Sequence, residues 1–95
     1  KRWLASADDH ATGSVTLNQG AEDALLDINH LASLLLVGVE AVDGRFERGD
    51  VIQILSPSGK VLGCGQARYS HNDVAKLMGQ RGHKPLVHYD YLYVS

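Results

Sequence analysis

Between Leu34 and Ser70 the chain sets out four short apolar runs, each cut off by glycine. Leu34-Leu35-Leu36-Val37 leads to Gly38, Val39-Glu40-Ala41-Val42 alternates and meets Asp43-Gly44, and Val51-Ile52-Gln53-Ile54-Leu55 meets Ser56-Pro57-Ser58-Gly59. Val61-Leu62-Gly63-Cys64-Gly65-Gln66-Ala67 then runs on to Tyr69-Ser70. Runs this short, punctuated by turn residues at this rate, predict the strands of a small closed or half-closed β-barrel. Asp43-Gly44 predicts a tight hairpin, because both central positions of such a turn favour residues that tolerate positive φ. Ser56-Pro57-Ser58-Gly59 predicts another, with φ preset at proline and relaxed at glycine. Arg48-Gly49-Asp50 is an integrin-ligand triplet in some secreted proteins. Here it abuts Val51-Ile52 and reads as a turn into a core strand, with Phe46 beneath it. Gly63 and Gly65 inside one strand predict a bulge, a sharp bend or a close backbone approach. Gly-Cys-Gly lacks the spacing and the following helix of a phosphate loop.

Outside these runs the apolar period changes to that of a helix. Ala21, Ala24, Leu25 and Ile28 fall at i, i+3, i+4, i+7 and predict an amphipathic helix over residues 21–30. Glu22 and Asp23 favour the helix dipole in its first turn. A second helix opens at Ser70, a suitable N-cap with Asp73 three residues on. Val74, Leu77 and Met78 form its apolar face, and Gly79 suits its end. Ahead of the first strand, residues 1–12 read as an interdomain linker, and 13–95 as one domain. The expected fold is mainly β: a small pseudo-barrel of five or six short strands with two short α-helices.

Composition adds bounds. Ninety-five residues make one domain, burying roughly two-thirds of the unfolded chain's surface. No apolar run approaches the ~20 residues of a membrane span, and no segment resembles a signal peptide. The lone Cys64 cannot form an internal disulfide and reads as a buried structural thiol, which fits a reducing cytoplasm. The first residue is Lys1, so an excised fragment is expected. Charge is uneven. Residues 1–59 carry four basic and nine acidic side chains, whereas residues 60–95 carry five basic and two acidic, a net +3. Arg68, Lys76, Arg81 and Lys84 are therefore candidate phosphate contacts for RNA, set against a solvated helix face and polar loop.

No catalytic constellation emerges from spacing. Asp8, Asp9 and His10 are adjacent but sit in the linker, and His88 and Asp90 supply two metal ligands on one strand face with no third placed. Ser14, Ser33 and Ser70 lack the strand-turn-helix context of a nucleophile elbow. The expected catalytic and metal sites are none. Tyr89, Tyr91 and Tyr93 at period two suit either base stacking or packing into the barrel or against a neighbouring domain.

The order and spacing of these residues resemble a known family. Residues 33–39, Val42-x-Gly44-x-Phe46-x-x-Gly49-Asp50-Val51-Ile52, Gly59-Lys60-x-Leu62-x-x-Gly65 and Arg68-Tyr69-Ser70 look like the PUA domain. More narrowly, they are similar to the PUA domain at the C-terminus of bacterial glutamate 5-kinases. Lys1-Arg2-Trp3-Leu4 is similar to the segment joining that domain to the kinase domain. Residues 13–21 resemble its first strand and glycine turn, and residues 87–94 its closing strand. Two departures fall in the last quarter: Tyr89 and Tyr91 stand where the family usually has arginine and aspartate, and residues 79–85 make a short connection. The resemblance implies a non-catalytic accessory or regulatory module joined to an N-terminal amino-acid-kinase domain. That parent would be a homo-oligomer transferring phosphate from ATP, with Mg²⁺, to L-glutamate in the first step of proline synthesis. The alternative implied by the wider family is an RNA-binding module of an RNA-modifying enzyme.

Overall fold

The computed structural model describes residues 12–26 and 33–94. Five strands form one sheet: β1 (Gly13–Leu17), β2 (Val39–Gly44), β3 (Val51–Leu55), β4 (Val61–Gln66) and β5 (Leu92–Val94). Two helices accompany them, α1 (Gln19–Leu26) and α2 (His71–Leu77). The spatial order is β2-β1-β3-β4-β5. All neighbours are antiparallel except β1 and β3, which run parallel. Past the two outer strands, Leu34 bridges Val87 in antiparallel sense. Leu34 N–H donates to the Val87 carbonyl at 2.9 Å, and Leu86 N–H returns to the Leu34 carbonyl at 2.8 Å. That bridge joins the segment before β2 to the segment before β5 and draws the sheet into the expected pseudo-barrel.

Alternation decides which side chains fill it. Val15 and Leu17 on β1, and Ile52 and Ile54 on β3, have no exposure at all. Phe46, Leu36, Val74, Leu86 and Val87 complete the core from the connections and from α2. The β3–β4 hairpin is built as its turn residues predict. Ser56 N–H donates to the Lys60 carbonyl at 2.8 Å. The Ser56 hydroxyl, nearly buried, accepts from Lys60 N–H at 3.0 Å. Arg48-Gly49-Asp50 is a turn into β3, in which the Asp50 carboxylate accepts from Glu47 N–H at 2.9 Å. Opposite Ile54 and Leu55 the β4 register shifts by one residue, the bulge expected of a glycine-bearing strand. Gly65 is the close approach: a Cβ there would lie 2.6 Å from a Val87 methyl and 2.9 Å from the Tyr91 carbonyl.

Four local expectations are corrected. Asp43-Gly44 does not turn a hairpin, because β1 lies between β2 and β3. Gly44 instead ends β2 opposite Gly13 with φ +80°. A Cβ on Gly44 would meet Gly13 Cα at 2.8 Å, and one on Gly13 would meet the Phe46 ring at 2.5 Å. Positive φ is required here as expected, and its cause is this crowded corner. Residues 34–37 are not a strand: Leu34 makes the single bridge and Leu36–Gly38 form one turn of 3-10 helix. Nor is the closing segment one strand. Tyr89–Tyr91 turn as 3-10 helix before β5, which removes the period-two alignment of the tyrosines. The first helix begins two residues earlier than expected, since Asn18 caps it by accepting from Ala21 N–H at 2.8 Å. Its predicted continuation, with Ile28, lies outside the described residues, as does the linker before Thr12.

Phe46 ties these pieces together. Its carbonyl accepts from His71 N–H at 2.9 Å, and its ring meets the His71 ring edge-on at 5.9 Å. Truncating a fully buried phenylalanine leaves a cavity, so Phe46→Ala should destabilise the domain by about 3–5 kcal/mol. Urea titration followed by far-UV circular dichroism checks this; an unmoved midpoint would mean that the ring is not a core element.

Candidate functional site

Beside α1 the surface opens into a groove of about 430 Å³. Its floor is apolar, with Ala21, Ala24 and Leu25 of α1 facing Leu34, Leu35 and Val37. Asn18, Ser33 and Arg81 supply the polar groups at its margin. Local chemistry explains each wall. The Asn18 cap starts α1 immediately after β1, and Asn18 N–H donates to the Gly38 carbonyl at 2.9 Å. Helix and 3-10 turn approach so closely that a Cβ on Gly38 would lie 2.5 Å from the Ala21 Cβ. The third wall comes from the end of α2. Gly79 N–H donates to the Leu36 carbonyl at 2.7 Å, which brings the following Arg81 to the rim.

The four basic residues singled out from charge are all exposed. Of these, Arg81 alone lines the groove. Lys76 lies in the last turn of α2, whose Ser70 cap accepts from Asp73 N–H at 3.3 Å as expected. Arg68 follows β4, where its N–H donates to the Leu86 carbonyl at 2.8 Å. Lys84 is held through its carbonyl, which accepts from the Tyr69 hydroxyl at 2.9 Å. Sequence reasoning misses the groove itself, because its lining comes from residues 18–25, 33–38 and 81. Its one local signal is Asn18, a strong N-cap residue just after an apolar strand.

The other candidates do not gather into a reacting group. His88 Nδ1 lies 3.6 Å from an Asp90 carboxylate oxygen, but both residues belong to the 3-10 turn region and not to a strand face. Among the described residues no three His, Cys, Asp or Glu side chains come together as a metal set would require. Tyr91 and Tyr93 are 43% and 40% exposed, so neither packs into the barrel. Among the described residues no helix is long and apolar enough to cross a membrane.

The architecture is that of a small β pseudo-barrel module whose helices and connections leave a groove open to solvent. Residues 13–89 match the PUA domain family, and the chain belongs to it. Over 94 residues, 99% of this chain, it is 47% identical to glutamate 5-kinase of Chlorobaculum tepidum. It is 37% identical over its whole length to glutamate 5-kinase of Bacteroides thetaiotaomicron. The chain spans 26% of the length of each of these relatives. Among solved structures it is similar to a PUA domain of Aeropyrum pernix K1 crystallised as a tartrate complex. The TM-score is 0.68 at 32% identity, covering 81% of this chain and 42% of that one. An archaeal box H/ACA sRNP Nop10-Cbf5 complex shares the fold, with a TM-score of 0.61 at 18% identity over 88% of this chain and 23% of that one.

The tightest joint of the groove is testable. Gly38→Val places branched carbons where Ala21 already stands, so α1 must shift from the 3-10 turn. A loss of about 1–3 kcal/mol is expected, as for other overpacked sites. Hydrogen exchange should show faster exchange at Ala21 and Glu22 amides; an unchanged rate there would place α1 elsewhere.

Proposed function

We propose that this chain is the PUA segment of a glutamate 5-kinase, and that it serves that enzyme as an accessory or regulatory unit without phosphotransfer chemistry of its own. The identity of 47% across 99% of the chain carries this reading. The parent would be a cytoplasmic homo-oligomer making L-glutamyl 5-phosphate for proline synthesis. ATP and Mg²⁺ would bind in an amino-acid-kinase domain N-terminal to this segment. The residues here do not fit either group: the glycines form no phosphate-cradling loop, and the described side chains form no acidic set for Mg²⁺. No step of the transfer is therefore assigned to them. The longer chain that carries this segment should make glutamyl phosphate from ATP and L-glutamate, trapped as the hydroxamate, and the 95-residue chain alone should make none. Product from the short chain, or none from the long one, would overturn the reading.

Arg81 at the groove rim favours one second reading, in which the module binds RNA. Phosphate contacts would come from Arg68, Lys76, Arg81 and Lys84. The binding would be weak and tolerant of sequence, because nine acidic side chains in residues 1–59 repel the backbone. Four contacts to single-stranded RNA give a log-log salt slope of about −3, so fourfold more salt weakens binding roughly fiftyfold. Replacing Arg81 and Lys84 together should flatten the slope by about 1.4. Filter binding across a salt series reads this directly. Tight, sequence-selective binding that resists salt would promote the RNA module over the kinase accessory.

A further inference from the structure

The connection that walls the groove beside α1 has already committed its carbonyls. That of Leu34 accepts from Leu86 N–H at 2.8 Å, that of Leu35 from Gly38 N–H at 3.1 Å, that of Leu36 from Gly79 N–H at 2.7 Å and that of Gly38 from Asn18 N–H at 2.9 Å. The donors are in a different state. Asn18 Oδ1 accepts from Ala21 N–H at 2.8 Å, which fixes the orientation of that side-chain amide. Its Nδ2 is left as a donor with no acceptor among the described residues. Gly20 also lines the groove, two residues before Glu22, whose N–H makes the bond to the Asn18 carbonyl that starts α1. Its amide is one of those that a helix start leaves without an intrahelical partner.

Charge follows the same division. Among the described residues lining the groove, Arg81 is the one charged side chain, and no described carboxylate pairs with it. The acids of α1 are held outside the groove: Gln19 Nε2 donates to Glu22 at 3.1 Å and to Asp23 at 3.0 Å. A surplus of donors beside one guanidinium suits a ligand group that only accepts and is negative. An ammonium finds no partner there, which sets amino-acid zwitterions aside. The donors are also held in place, because Asn18 and the segment leading to Arg81 are both bonded to one turn, Leu36–Gly38.

The floor selects the body of the ligand. Ala24, Leu25 and Leu35 offer only hydrocarbon, and Leu35 is 47% exposed. A volume of about 430 Å³ falls within the range of small-molecule sites. Bare phosphate would leave this floor uncovered, and a ribose backbone would set hydroxyls against it. A planar carboxylate matches a guanidinium through two parallel N–H···O bonds. We propose that the groove is a binding site for a small carboxylate with a hydrocarbon body, its head on Arg81 and Asn18 and its body over Ala24, Leu25 and Leu35. The site lies wholly within this domain and does not depend on the assignment of the chain to a kinase.

The test uses the full-length chain and an octanoate analogue with a diazirine in its hydrocarbon chain. After irradiation, mass spectrometry of the digest should find the label on peptides carrying residues 18–25 or 33–38. Octanoate should protect those peptides, and octanol, octylammonium, acetate and inorganic phosphate should protect them far less. Arg81→Gln should lower labelling at sub-saturating probe about tenfold, as loss of a charge-assisted contact does. Leu35→Asp should lower it at least as far by setting a carboxylate against the ligand, while Lys60→Gln, outside the groove, should leave it unchanged. Label confined to other peptides, or labelling of Arg81→Gln equal to that of the unaltered chain, would overturn the proposal. So would equal protection by octanol or octylammonium, which needs no cation, or by acetate or phosphate, which needs no apolar floor. Single-stranded RNA displacing the label at lower concentration than octanoate would give the groove to RNA instead.

Discussion

The rest of this domain hangs on a corner where an aromatic ring passes beneath two glycines. Phe46 leaves the end of β2 and dives under Gly13 at the start of β1. The space exists only because Gly13 and Gly44 face each other without side chains. Any Cβ on Gly13 would strike the ring, and any on Gly44 the backbone of residues 12 and 13. The buried ring in turn positions the second helix. The Phe46 carbonyl receives the first amide of α2 at His71, and the two rings meet edge to face. From there α2 runs to Gly79, whose amide reaches the Leu36 carbonyl and brings Arg81 to the groove. A packing decision at one corner is carried by hydrogen bonds to the far wall of the groove.

Closure depends on a second close approach. Five short strands would leave both edges of the sheet open, a liability that closed barrels avoid. Here the segments ahead of the two outer strands meet through Leu34 and Val87. Val87 can lie across the inner side of β4 because Gly65 offers no side chain there. The same closure buries Leu34, Leu86 and Val87 together and leaves Leu35, on the outer side of that chain, 47% exposed in the groove. The groove is therefore a by-product of the way the barrel closes.

These constraints leave the domain with two unlike regions. The groove combines an apolar floor with the Arg81 cation, whereas strands β3, β4 and β5 contain no charged residue.

Much of this was legible along the chain because it is local. Short apolar runs, the Ser56–Gly59 turn chemistry, the Ser70 cap, the bulge at Gly63 and the buried Cys64 each arise from a few neighbouring residues. Together they carried the fold class and the family. What eluded local reading was pairing. Asp43-Gly44 has the chemistry of a hairpin, but β1, some thirty residues earlier in sequence, inserts between β2 and β3, and no periodicity within either strand encodes that. The same holds for residues 34–37, apolar enough for a strand but granted only one bridge by closure. Arg81 was identifiable as a charge and not as a groove residue, since its place is set by a backbone contact to Leu36. Propensity and turn chemistry are properties of adjacent residues; order, closure and surface division arise only when distant segments compete for the same core.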